Sequence, residues 1–220
     1  MINDNKVQEC QDIIELFNLW KEKHNQESQE STKLTFPKCG KNMPDYSYRV
    51  SWTDDGPLGD ENTDILFILK ESNNKECIIP SNNDFWMKKV VSSKEKKEKS
   101  KPIPRRLMKI TKDVMKEKFS EDTWFQNVAY MNINKRGGYS KCEPRQLCGY
   151  INEYASFIRR EIELLNPKYI FVLCGSESLT YWQKIGYNHC GFVYMGNHPG
   201  CWGCCDKDYV NSVMKGTFLP

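Results

Sequence analysis

The chain lacks any apolar run near the ~18 residues that a membrane-crossing helix needs, and its mean hydropathy is −0.71. Histidine is scarce, at 3 in 220 residues. No Gly-x-x-x-x-Gly-Lys phosphate loop and no His-Glu-x-x-His metal helix occurs. Gly175-Ser176-Glu177-Ser178 lacks the glycine spacing of a nucleophile elbow. No internal repeat is present. The first absence sets aside a membrane protein; the others leave no phosphate-loop, metal-helix or nucleophile-elbow signature in the chain. Residues 1–20 mix Asp, Glu and Lys with apolar positions, which predicts no secretory leader and a cytoplasmic protein. The ten cysteines are then expected as free thiols. Cys201-Trp202-Gly203-Cys204 has metal-ligand spacing, with Cys205 beside it and His189 and Cys190 upstream. A second pair at such spacing is missing. Packing thiols are therefore expected, with Cys201 and Cys204 the candidates should a metal bind, and no cofactor is expected.

What is present suits one α/β domain, since 39% apolar and 12% aromatic residues in 220 positions are enough for a sizeable core. The net charge of +3 hides an asymmetry. Residues 88–106 hold nine Lys/Arg against two Glu, a balance of +7, which leaves −4 for the rest of the chain. Clustered basic charge on a mildly acidic body is a footprint for a polyanion. Ser92–Lys101 (SSKEKKEKSK) also fits a solvated linker.

Apolar spacing predicts an amphipathic helix over 7–24, followed by a polar linker over 25–33. Together these read as an N-terminal helical arm, 1–33, ahead of a domain over 34–220 with the basic insert at 88–106. Residues 34–60, rich in Pro and Gly, read as loop with short extended pieces. Four strands are expected at 64–69, 128–133, 169–173 and 192–195; the run Ile65–Leu69 suits a strand buried on both faces. Helices are expected at 105–118, 149–165, 176–185 and 206–214. The alternation predicts a three-layer α/β/α sandwich around a central, mostly parallel four-stranded sheet.

In such sheets ligands bind outside the carboxyl ends of the strands. Every predicted strand ends in a polar or glycine-containing turn: Lys70-Glu71-Ser72-Asn73, Asn132-Ile133-Asn134-Lys135, Cys174-Gly175-Ser176 and Asn197-His198-Pro199-Gly200. Convergence of these turns would gather a carboxylate, amides and a histidine. Glu71, closing a buried strand, is read as functional. Asn132 interrupts an apolar strand, and its amide must find a partner, structural or ligand. Cys174 closes an apolar strand and is expected to pack. His24 and His189 are read as ordinary.

The order of these turns resembles the uracil-DNA glycosylase superfamily. Its first motif is a buried strand followed by a turn with an acid or amide, similar to Ile65–Asn73. Its middle motif, a strand ending in a base-reading asparagine, looks like Ala129-Tyr130-Met131-Asn132. Its last motif, His-Pro-Ser with an intercalating residue, looks like Asn197-His198-Pro199-Gly200 with Trp202 following. The resemblance spans about residues 60–215. It departs at Lys70, Ser72 and Gly200, and the cysteines of the iron–sulfur branches have no counterparts at matching positions.

The resemblance implies a DNA glycosylase of this fold acting on uracil or a modified base, such as a hypermodified cytosine in phage DNA. Glu71 and His198 would be catalytic. Lys70 and Asn73, in the same turn as Glu71, would contact substrate with Asn132 and Lys135. Phe85 or Trp86 would stack on the everted base. DNA would be held by Lys88, Lys89, Arg105, Arg106 and Arg136, with Trp202 as the wedge. The expected partner is DNA, with no membrane and a monomeric chain. The alternatives are a catalytically inactive nucleic-acid- or nucleotide-binding module on the same fold, and a different α/β hydrolase or nucleotide enzyme using a cysteine or zinc near Cys201–Cys205.

Overall fold

The computed structural model describes residues 4–29, 55–59, 62–71, 86–93, 100–136 and 143–216. Its elements run α1 (Asp4–Glu9), α2 (Ile13–Gln29), β1 (Gly56–Pro57), β2 (Ile65–Glu71), α3 (Trp86–Ser92), α4 (Pro102–Met115), β3 (Val128–Asn134), α5 (Pro144–Leu165), β4 (Tyr169–Val172), α6 (Ser178–Ile185), β5 (Phe192–Met195) and α7 (Asp206–Met214). Short 3₁₀ turns follow α4 and precede α6.

The five-stranded sheet has the order β1-β3-β2-β4-β5. β3, β2, β4 and β5 are mutually parallel. The two-residue β1 pairs antiparallel with β3, so the sheet is mixed and has one strand more than expected. β1 lies in the segment read as loop, and its Gly-Pro pair carries no strand signal.

β2 is apolar from Ile65 to Leu69 because both its faces are covered. Leu66 and Ile68 join the core beneath α1, α2, α5 and α6, whereas Ile65, Phe67 and Leu69 join the core beneath α3, α4 and α7. Alternation along the strand makes this division. Helix ends follow local chemistry. Pro102 and Pro144 sit in first turns, and Asn166 closes α5 in the left-handed region at φ 44°.

Three expectations are corrected. The single helix over 7–24 is two, because Asp12 caps a new start: its Oδ1 accepts the Glu15 N–H at 2.9 Å, and the Glu15 carboxylate accepts the Gln11 N–H at 2.7 Å. The polar stretch after residue 24 continues α2 through Gln29. The N-terminal segment is also no separate arm, since Val7, Leu16, Phe17 and Trp20 are fully or nearly fully buried in the same core as α5. Helix α3 occupies part of the basic insert, with Met87, Val90 and Val91 buried. Among the described residues no helix is long and apolar enough to cross a membrane.

Candidate active site at the carboxyl edge of the sheet

β2 is central. The chain leaves it toward β3 on one side and returns on its other side as β4. The β2/β4 boundary is therefore the topological switch point, where open sheets form their ligand crevice. Lys70 and Glu71 end β2 on one side of that boundary; Cys174 and Gly175 follow β4 on the other. Gly175 sits at φ 81°, and a Cβ there would stand 3.9 Å from the Lys70 Nζ, so the ammonium lies over the end of β4. Glu71 pairs with Asn134, two residues beyond the Leu69–Asn132 pair. The Glu71 and Trp86 side chains, like Asn73 and Phe85, lie outside the described residues.

His198 follows β5 at the same edge. Its Nδ1 accepts the Gly200 N–H at 3.1 Å. That bond fixes the neutral tautomer with the proton on Nε2. Burial, and then the nearby Lys70 charge, push the imidazole down to about 4. At neutral pH His198 is therefore an uncharged donor, and among the described residues no hydrogen-bond partner takes its Nε2–H. Gly200 allows this arrangement, since a Cβ there would stand 3.1 Å from Nδ1.

The turn after His198 is wrapped around Arg106 of α4. The guanidinium donates to the carbonyls of Pro199 (2.9 Å), Cys201 (2.9 Å) and Cys204 (2.8 Å), and its Nε donates to Asp206 at 3.1 Å. Its cation lies 4.6 Å from the Tyr209 ring centroid, and the Tyr209 hydroxyl donates to the Asn197 carbonyl at 2.8 Å. Arg106, at 4% exposure, is therefore an internal bracket and not a DNA contact as expected. Arg105 is partly exposed but paired with Asp206 at 2.6 Å. Lys109 joins the same carboxylate at 2.8 Å. Hydrogen bonding by Arg105 leads in holding that carboxyl well below the usual range. Lys88 and Lys89 are exposed on α3.

Asn132 is buried at the end of β3. Its backbone N–H donates to Asp55 in a short hydrogen bond, and its Nδ2 donates to the other Asp55 oxygen at 3.2 Å. Asp55, just before β1, turns the amide so that Nδ2 faces inward. Among the described residues the Asn132 Oδ1 has no hydrogen-bond donor. Sequence reasoning missed Asp55, which lies in a segment read only as loop.

Lys135 and Arg136, expected to contact substrate and phosphate, are corrected. Lys135 is fully buried, with its Nζ 3.0 Å from Asp55 and 2.8 Å from Glu161. It also lies over the Trp20 ring at 5.2 Å. Burial, offset in part by Lys135, raises Glu161 to about 7, and burial raises Asp55 as well. Arg136, at 1% exposure, donates to Glu27 at 2.6 Å and to the Tyr154 hydroxyl at 3.2 Å. Two cations next to a Gly-Gly turn look like phosphate ligands in a sequence. Their partners, Asp55, Glu161 and Glu27, are supplied from distant segments.

Cys174 is buried, and burial pushes its thiol up to about 12, so it packs as expected. His24 is buried against the Tyr150 hydroxyl at 3.0 Å, not in a polar surface context. Trp202 is 96% exposed, four residues after His198. The described residues contain no group of three or more His, Cys, Asp or Glu able to hold a metal ion. The structure thus brings Lys70, Cys174, Gly175, Asn132 and His198 to one edge with the backbone of Glu71, and turns Lys135, Arg136 and Arg106 inward. No protein-family model matches the chain, and no curated protein matches it.

Proposed function

We propose that the chain is a DNA base glycosylase with the motif order of the uracil-DNA glycosylase superfamily, acting on uracil or a modified base. The observation that carries this reading is the pairing of a neutral His198, its Nε2–H left to donate, with a buried Asn132 whose Oδ1 lacks a donor, at the same strand-end edge as Glu71.

The reaction breaks the bond between C1′ and the base nitrogen and forms one between C1′ and a water oxygen. The base departs with the bonding electrons, and positive charge grows on the sugar. Glu71 stabilises that charge and takes a proton from the attacking water. His198 donates through Nε2–H to the base carbonyl oxygen where negative charge collects; a preorganised donor of this type is worth roughly 3–4 kcal/mol. A neutral donor suits the task, because it need not lose a charge when the base leaves. Asn132 reads the base edge through Oδ1, and Lys70 adds positive charge at the rim. Everting the base costs a few kcal/mol, and Trp202 has the bulk and exposure to occupy the vacated stack. Lys88 and Lys89 supply phosphate contacts.

The test is incubation of the folded protein with duplexes carrying uracil, mismatches and modified cytosines, with abasic sites scored by alkaline cleavage. The expected result is abasic sites on at least one duplex. Salt-dependent binding with no abasic product on any DNA would instead identify an inactive binding module.

A further inference from the structure

We propose that Cys201 and Cys204 are a reversible dithiol–disulfide pair that sets the conformation of the Trp202 turn, independently of whether the chain excises bases. The two Sγ atoms lie 3.6 Å apart, already in mutual contact, in the turn Cys201-Trp202-Gly203-Cys204. A disulfide needs about 2 Å between the sulfurs, an approach that side-chain rotation can supply. Gly203, at φ 89° with open space around its Cα, gives the turn the backbone freedom to close. Both thiols are partly exposed, so a small disulfide can reach them.

Arg106 decides between metal and redox chemistry. Its Nη1 lies 3.4 Å from the Cys201 Sγ and its Nη2 lies 3.5 Å from the Cys204 Sγ. A metal dication would have to share this position with a guanidinium held in place by three carbonyls and Asp206. A thiolate, by contrast, gains from that charge. Cys205 points elsewhere, with its Sγ donating to Asp208 at 3.1 Å. Burial and the Cys204 thiol raise the Cys201 thiol while Arg106 opposes them. Oxidation is therefore slow near neutral pH and faster as pH rises.

The step is thiol–disulfide exchange with a low-molecular-weight disulfide such as oxidised glutathione. One cysteine thiolate attacks the glutathione disulfide and expels one glutathione thiolate. The second cysteine then attacks the mixed disulfide and expels the other. Two protein thiols are oxidised, one glutathione disulfide is reduced, and the two thiol protons end on glutathione. The closed ring contains Trp202, so oxidation changes the freedom of the exposed indole.

The experiment equilibrates the full chain across glutathione redox buffers, quenches with acid, alkylates free thiols and maps the peptide containing residues 201–204 by mass spectrometry. The expected result is that this peptide loses two hydrogen masses and both alkyl groups together. Reduction restores both, and intrinsic tryptophan fluorescence changes in parallel in wild type but not in a Trp202→Phe chain. In a Cys201→Ser chain with unchanged circular dichroism the loss disappears. Four results would overturn the proposal: two alkylated thiols at the most oxidising ratio, a glutathione adduct that never resolves, a Cys204–Cys205 disulfide, or a stoichiometric zinc ion released on alkylation of Cys201 and Cys204.

Discussion

His198 owes its character to two neighbours, the Gly200 N–H that occupies Nδ1 and the Lys70 charge that resists a second cation. The ordinary imidazole value is 6.5, and in the folded chain burial and Lys70 lower it to about 4. Between these values the unfolded chain takes up a proton that the folded chain refuses. The stability that His198 contributes is therefore complete above about pH 6.5 and declines as pH falls toward 4. Relative to His198→Gln, wild type should lose on the order of 1–3 kcal/mol across that window. Urea unfolding of both proteins at several pH values reads this difference, and a constant difference would contradict the assigned burial. Asn132 is fixed by its neighbours too: Asp55 accepts from its backbone N–H and from Nδ2, and Oδ1 has no donor among the described residues.

Helix α4 holds the turn after His198, and Arg106 is the residue through which it does so. Replacing Arg106 with Gln removes bonds to the carbonyls of Pro199, Cys201 and Cys204. A shorter amide cannot reach all three carbonyls, of which the Pro199 bond is buried and the other two partly so, and the expected cost is about 2–4 kcal/mol in unfolding free energy. Because Arg106 acts by positioning the turn, if the proposed base excision is the activity, replacing Arg106 should lower kcat while the affinity for undamaged duplex stays within about threefold. A variant with wild-type stability would show that the bracket is dispensable. The sequence made the parallel strands legible, because apolar runs such as Ile65–Leu69 and Tyr169–Leu173 have no other use in a chain this polar. It also made the polar strand ends legible. It did not show β1, since two residues carry no periodicity, nor the break at residues 10–12, where the Asp12–Glu15 pair was the available signal. The inward turn of Lys135, Arg136 and Arg106 was not legible at all. Their carboxylate partners stand 26 to 109 positions away in the chain, and pairing over such distances leaves no local pattern.

At the scale of the molecule, the sheet divides two cores, and the candidate site lies along the carboxyl edge of its strands. The core beneath α1, α2, α5 and α6 contains the Asp55–Lys135–Glu161 network, with all three side chains fully buried. That network ties β3, α5 and the entry to β1 together directly behind Asn132. The other core carries α4 and α7, which grip the His198 turn. The network thus anchors the end of β3 from behind, while Asn132, paired with Leu69, points to the face where α4 and α7 grip the His198 turn, so both halves of the candidate site lie on that face. If the halves form a single base-excision site, then on a duplex that wild type cleaves to an abasic product, Glu71→Gln and His198→Ala should each slow single-turnover excision by at least about tenfold. Circular dichroism and duplex affinity should be unchanged. Excision at the wild-type rate by both folded variants would contradict the account.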